Sequence, residues 1–134
     1  MKQEVLNVIR FLDSQKIFVA QEIQTGEKKI GRIEKRKGVL PQNSFRYRLS
    51  SKREAKIRSK ISHEEKRIRE IRLAEIALMK GENGPALKIL EEISAEIIPI
   101  VNFNQDGFGG EFNTAYLNPH FELIRKMEQG LINA

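Results

Sequence analysis

Residues 27–37 carry the sequence EKKIGRIEKRK, and the spacing of its two isoleucines decides the fold of the first part of the chain. Ile30 and Ile33 are three residues apart, which places them on one side of a helix but on opposite faces of a strand. Gly31 opposes a helix by roughly 1 kcal/mol relative to alanine. The spacing favours a helix whose other side carries the cations Lys28, Lys29, Arg32, Lys35 and Arg36.

This segment opens a strongly basic band that extends from Lys28 to Lys60. The band contains thirteen Lys or Arg residues and only two acids, Glu34 and Glu54, so its net charge is +11, whereas the whole 134-residue chain carries +6. The rest of the chain is therefore acidic. Cations concentrated in this way favour a polyanionic partner: DNA, RNA or an anionic membrane surface.

The residues before this segment predict two further elements and a break. Residues 17–23 form a short element whose β-branched start suits a strand and whose position suits a short helix. Thr25 and Gly26 predict a break after it. Over residues 2–14, apolar side chains recur with the i, i+3, i+4, i+7 spacing of an amphipathic helix: Val5, Val8, Ile9 and Leu12.

The residues after this segment predict a small β hairpin over residues 38–50. Val39 and Leu40 form its first short strand, and residues 41–44 form its turn. In the second strand, apolar residues alternate with arginines, which gives one apolar and one cationic face: Phe45, Arg46, Tyr47, Arg48 and Leu49.

The order of helix, short element, break, basic helix and hairpin over residues 2–50 resembles a winged helix-turn-helix domain. The resemblance is one of pattern and points to no specific family, and the short second element departs from it. It implies that the third helix enters the major groove of DNA and that the hairpin lies over the backbone. The outward cations of residues 27–37 then match the recognition helix, and Arg46 and Arg48 match the wing.

The chemistry of the cations supports the same assignment. The planar guanidinium of arginine suits base edges, so Arg32 and Arg36, one helical turn apart, are candidates for base contacts. The lysines suit phosphates. The sequence therefore predicts a nucleic-acid-binding surface of ten residues: Lys28, Lys29, Arg32, Lys35, Arg36, Arg46, Arg48, Lys52, Arg53 and Lys56.

Residues 51–80 predict one long helix, because strong helix formers follow one another until Gly81, which suits a helix C-cap. Apolar residues occupy five of the seven positions of an alternating four–three pattern across residues 57–78, the pattern of a helix–helix seam. Two copies of the chain would pair through this seam as a homodimer. The seam positions are Ile57, Ile61, Glu64, Ile68, Ile71, Glu75 and Leu78.

Residues 81–134 predict an acidic, helical C-terminal region. A helix over residues 85–98 follows the Asn83-Gly84-Pro85 turn and ends at Pro99. Residues 99–117, which lack a helical period, predict a structured loop. A last helix begins at Asn118-Pro119 and ends at Gly130.

The sequence predicts no catalytic residue, no metal and no cofactor. Residues 102–113 approach the calcium-loop pattern, but Asn113 stands where that loop needs a bidentate glutamate. His63 and His120 lack a clustered acid or a cysteine partner, and the chain contains no cysteine. Asp13 with Glu27-Lys28-Lys29 imitates a nuclease pattern only loosely. These absences place an enzyme last among the classes of function.

The fold predicted from these observations is mainly α with a small β hairpin. A winged-helix-like unit (1–50) precedes the long helix (51–80) and the helical C-terminal region (81–134). The function predicted is a small, non-enzymatic protein that binds duplex DNA, as a transcriptional regulator or a replication accessory protein. Binding of RNA or a ribonucleoprotein, and docking on an acidic protein surface, are the alternatives. No apolar run suits a membrane span, and a cytoplasmic location is expected.

Overall fold

The computed structural model describes the backbone of residues 2–105 and 111–133 and the side chains of residues 2–96 and 121–133. Every regular element in these ranges is an α-helix: α1 Gln3–Lys37, α2 Phe45–Met79, α3 Gly84–Gln105 and α4 Glu111–Asn133. The predicted mainly α fold with a small β hairpin is therefore wrong in its hairpin. The winged-helix-like unit is wrong with it.

Helix α1 is continuous where the sequence predicted two helices, a short element and a break. The hydroxyl of Thr25 donates to the carbonyl of Gln21 at 3.0 Å, a bond that a serine or threonine makes inside a helix. A Cβ at Gly26 would lie 3.0 Å from Cδ1 of Ile61. Gly26 therefore marks a close approach between α1 and α2, and the chain does not turn there.

The predicted hairpin segment is a turn followed by the start of α2. The backbone N–H of Tyr47 donates to Oγ of Ser44 at 3.2 Å, so Ser44 is the N-cap of the helix. Phe45 is 76% exposed and Leu49 is 48% exposed, so their alternation with arginines does not mark the buried face of a strand. The residues predicted as a wing form the first turns of α2.

The helix predicted over residues 27–37 is confirmed as the last part of α1. Ile30 and Ile33 are buried, and the five predicted outward cations are exposed. Gly31 has no atom within 4 Å of the position that its Cβ would take. The isoleucine spacing therefore outweighs the low helix propensity of glycine, because burial of the two side chains stabilises the helical conformation.

The C-cap predicted at Gly81 is also confirmed. Gly81 has φ 86°, in the left-handed region that glycine adopts at little cost. The N–H of Glu82 donates to the carbonyl of Ala77 at 2.9 Å, and the N–H of Gly81 donates to the carbonyl of Leu78 at 3.1 Å. This pair of bonds is the Schellman motif, which satisfies the last carbonyls of α2.

The predicted boundaries in the C-terminal region are wrong, and most of the loop predicted over residues 99–117 is helical. Helix α3 continues through Pro99 to Gln105, and α4 begins at Glu111, before Asn118-Pro119, and continues through Gly130. A proline inside a helix costs roughly 3 kcal/mol or more. Helices α3 and α4 pack against each other, and tertiary packing supplies most of the stability of a helix in a protein. Residues 106–110 of the calcium-like segment lie outside the described residues.

The chain divides into two compact units. We call residues Met1–Leu12 with Glu70–Ala134 the core unit, and Asp13–Arg69 the basic hairpin. In the core unit, segments of all four helices contribute to one apolar core. Its fully buried side chains are Val8, Leu12, Ile71, Leu90, Ile124 and Leu131.

In the basic hairpin, α1 and α2 run antiparallel. Gly26 of α1 contacts Ile61 of α2, while Lys37, eleven residues further along α1, lies 3.0 Å from Glu54, earlier in α2. Ile30, Ile33 and Ile61 are buried between the helices.

The predicted dimer seam on α2 is largely covered by the chain itself. Five of its positions are buried, and Ile57 and Ile68 are half-buried. The homodimer through residues 57–78 stays a prediction. The buried positions are Ile61, Glu64, Ile71, Glu75 and Leu78.

The basic hairpin has two glycines inside α1, Gly26 and Gly31. Replacing each of them by alanine separates the effect of helix propensity on stability from the effect of packing between the helices. Gly31→Ala is expected to raise the free energy of unfolding by about 1 kcal/mol, because it adds a Cβ in open space. Gly26→Ala gains the same propensity but crowds Ile61, which costs about 1–3 kcal/mol. Urea denaturation of both variants measures the difference. Equal stabilisation by the two alanines would contradict the close approach at Gly26.

Candidate nucleic-acid interface

The two acids of the basic band are both engaged in ion pairs on the basic hairpin. Glu54 lies 3.0 Å from Nζ of Lys37 and 2.8 Å from Nη2 of Arg58. The same Arg58 nitrogen lies 2.7 Å from Glu34. The network links α1 with α2, and it uses two of the thirteen cations.

The pKa shifts of Glu54, Lys37 and Arg58 agree with the ion pairs of this network. The hydrogen bond from Lys37, followed by that from Arg58, holds the pKa of Glu54 below its usual value. The hydrogen bond to Glu54 in turn raises the pKa of Lys37 and of Arg58. Nζ of Lys37 also lies 4.9 Å from the ring centroid of Tyr47, within the range of a cation–π contact. The two cations of the network, Lys37 and Arg58, and its two acids therefore neutralise one another.

A third cation of the band, Lys60, lies 4.0 Å from a carboxylate oxygen of Glu64. The other ten cations form no ion pair with any residue whose side chain the structure describes. These ten are the residues that the sequence predicted as the nucleic-acid-binding surface.

The structure brings five of these ten cations together in one open groove between α1 and α2, with a volume of about 490 Å³. Ile33 and Ile57 complete its lining, and no acid is among the described residues that line it. We call this the cation groove. Its cations are Lys29, Arg32 and Arg36 from α1, and Arg53 and Lys56 from α2.

The other five predicted residues are exposed but do not line the groove. Lys28 and Lys35 lie elsewhere on the surface of α1, and Arg46, Arg48 and Lys52 lie in the first turns of α2. Arg48 donates to the carbonyl of Asn43 at 3.2 Å, so it also closes the turn before α2. These residues widen the positive surface around the groove.

A second groove of about 410 Å³ lies on the same hairpin and shares Lys29 and Ile57 with the cation groove. We call it the Glu64 groove. Glu64 is 7% exposed, and its Oε2 has no hydrogen-bond partner among the described residues. Burial, followed by the nearby charge of Glu22, raises the pKa of Glu64.

The sequence predicted Glu64 as a position of the seam but predicted no functional role for it. The feature that could have indicated such a role is a carboxylate at a position where the seam pattern requires an apolar side chain. Glu22 and Phe18, which also line the groove, carried no signal, because only the pairing of α1 with α2 brings them beside Glu64.

Glu64→Gln is expected to stabilise the protein at neutral pH by about 1 kcal/mol, because it removes a buried charge. Since the folded-state pKa of Glu64 is raised, its ionised form costs stability above that pKa, and the cost disappears as the pH falls towards the usual value of 4.5. The gain should therefore shrink between pH 7 and 4.5. Thermal unfolding across this range measures it, with the exposed neighbour change Glu65→Gln as control. A gain that is independent of pH would contradict the burial argument.

Among the kinds of site considered, the described residues best suit the binding of an anion. They contain no group of three or more His, Asp or Glu side chains arranged to hold a metal ion. No helix within the described ranges has a stretch apolar and long enough to cross a membrane. The basic hairpin carries exposed cations on α1 and α2 that form no ion pair with a described residue.

Comparison with known proteins returned nothing similar: no family model, no curated protein and no solved structure matches the chain. The functional argument therefore rests on the geometry and charge of the basic hairpin.

Proposed function

We propose that this chain is a small, non-enzymatic nucleic-acid-binding protein whose cation groove holds the phosphate backbone of duplex DNA. The single observation that carries the proposal is the lining of the groove, in which the described residues include five cations and no acid. Lysine and arginine that contact phosphates release the counterions condensed on DNA, which supplies most of the affinity of sequence-independent binding.

The pairing of the acids strengthens this argument. On an ordinary solvated helix, cations are offset by acids three or four residues away. In the basic hairpin, Glu34 and Glu54 pair with Lys37 and Arg58, none of which lines the cation groove. The positive charge of the cation groove is therefore not neutralised by these acids and can attract an external anion.

The chemistry of the groove favours a duplex backbone. Three of its five cations are arginines, whose planar fork binds phosphate oxygens in pairs. Duplex DNA carries one charge per roughly 1.7 Å of its axis, and each contact releases more counterion than on a single strand. Base readout by Arg32 and Arg36 is not part of this proposal, because it depended on a recognition helix that the fold does not contain.

The salt dependence of binding tests the proposal. For a 20-base-pair duplex, measured by fluorescence anisotropy, we expect the logarithm of the association constant to fall with the logarithm of salt concentration with a slope of about −4.5. This slope corresponds to about 0.9 per phosphate contact for the five groove cations. The affinity should change little between unrelated duplex sequences.

Competitors distinguish the other classes of partner. Polyglutamate and a structured RNA of equal total charge are added to the labelled duplex. Displacement by polyglutamate at equal charge concentration would favour docking on an acidic protein, and stronger displacement by RNA would favour an RNA binder. No duplex binding, or binding that salt leaves unchanged, would refute the proposal.

A further inference from the structure

The Glu64 groove continues the cation groove along the same helices. The two share Lys29 and Ile57, so a chain whose backbone lies in the cation groove passes the mouth of the Glu64 groove. Its volume of about 410 Å³ has room for one planar aromatic group.

The lining of the Glu64 groove combines an aromatic face with two carboxyl groups and with the amino groups of Lys29 and Lys60. Phe18 lies at the groove and is 54% exposed. Glu22 and Glu64 bring two carboxyl groups, and the buried Glu64 has one oxygen without a partner among the described residues. An ionised carboxylate only accepts hydrogen bonds, so the ligand must donate them.

We propose that the Glu64 groove holds an unpaired guanine base of a nucleic acid whose backbone lies in the cation groove. The inference rests on the proposed function and adds a second subsite to it. Phe18 supplies a face on which the base stacks, as aromatic side chains do for unpaired bases. Glu22 and Glu64 accept from the edge of the base.

The arrangement of donors selects guanine among the bases. Its pairing edge presents two adjacent donors, N1–H and the N2 amino group, which match two neighbouring carboxyl groups. Cytosine and adenine place a single amino donor beside a ring nitrogen that accepts, and thymine flanks its one N–H with two carbonyls. A carboxylate beside those acceptors is repelled, so the other bases leave one of the two carboxyl groups without a donor.

The experiment compares three 16-base-pair duplexes that differ only at one end: blunt, with a 3′ overhang dT-dG-dT, and with a 3′ overhang dT-dT-dT. We expect the guanine overhang to bind about tenfold more tightly than the thymine overhang, the size of one good base contact. Phe18→Ala should bring both overhangs to the affinity of the blunt duplex. Ile17→Ala, at the neighbouring exposed position outside the groove lining, should change neither.

The double change Glu22→Gln with Glu64→Gln should reduce the guanine-to-thymine ratio several-fold, because each glutamine replaces one acceptor oxygen by an amino donor and loses the charge that strengthens the bond. Because this variant gains positive charge, it binds every duplex somewhat more tightly, and the ratio is unaffected by that gain. Thermal unfolding confirms that the variant is folded, which the expected stabilisation by Glu64→Gln favours.

The outcomes separate the two proposals. Salt-dependent binding of the blunt duplex with equal affinity for both overhangs overturns the guanine subsite and leaves the proposed function standing. A guanine preference that the double glutamine change leaves undiminished also overturns the subsite. Failure to bind the blunt duplex overturns the proposed function itself.

Discussion

Arg32→Glu combined with Arg36→Glu is expected to weaken binding to duplex DNA by about 100-fold or more at 0.1 M salt. Both side chains line the cation groove on α1, and neither forms an ion pair with a described residue. Their reversal removes two phosphate contacts and places two negative charges beside the backbone. The slope of affinity against salt should also become shallower by about 2.

The matched control is Lys28→Glu combined with Lys35→Glu. These residues lie on the same helix, are exposed and change the net charge by the same amount, but they do not line the groove. We expect a loss of less than about tenfold for this pair. Anisotropy titrations give both affinities, and circular dichroism checks helix content. Equal losses for the two pairs would show that net charge, and not the groove, binds DNA.

Leu90→Ala is expected to have the largest effect on folding, a loss of about 3 kcal/mol in the free energy of unfolding. Leu90 is fully buried in the core unit, where it belongs to the cluster formed by segments of all four helices. Truncating it removes apolar contacts and leaves a cavity that the surrounding helices fill only in part. Urea denaturation followed by circular dichroism measures the loss.

Leu123→Ala makes the same substitution on α4, at a side chain that is 49% exposed. We expect it to cost less than about 1 kcal/mol, as surface truncations do. If the two alanines were equally costly, Leu90 would not occupy the core that the structure assigns to it.

Part of the candidate site can be read from the composition of the sequence. The other part depends on how α1 and α2 pack against each other. The thirteen cations of the basic band were recognised from the charge of residues 28–60 alone, because charge is a property of residue type. The choice of five that share a groove was not, because Arg53 and Lys56 meet Arg32 and Arg36 only when α1 and α2 pack antiparallel. The same holds for Glu22 beside Glu64.

The errors in the fold have particular physical causes. The sequence predicted a break at Thr25-Gly26, whereas in the structure Gly26 lacks a Cβ where Ile61 approaches α1. The alternating aromatic residues after Ser44 predicted a strand, whereas the Ser44 hydroxyl caps a helix there. In each case the local pattern fits two structures, and contacts with distant residues decide between them.

The sequence by itself determined the helix over residues 27–37, the buried isoleucines Ile30 and Ile33, the C-cap at Gly81 and the excess of cations. These depend on periods, propensities and charges that act within a few residues. Only the tertiary structure decided that α1 is continuous, that no wing is formed and that five cations share a groove. Those depend on the energy of packing one helix against another, which neighbouring residues in the chain do not reveal.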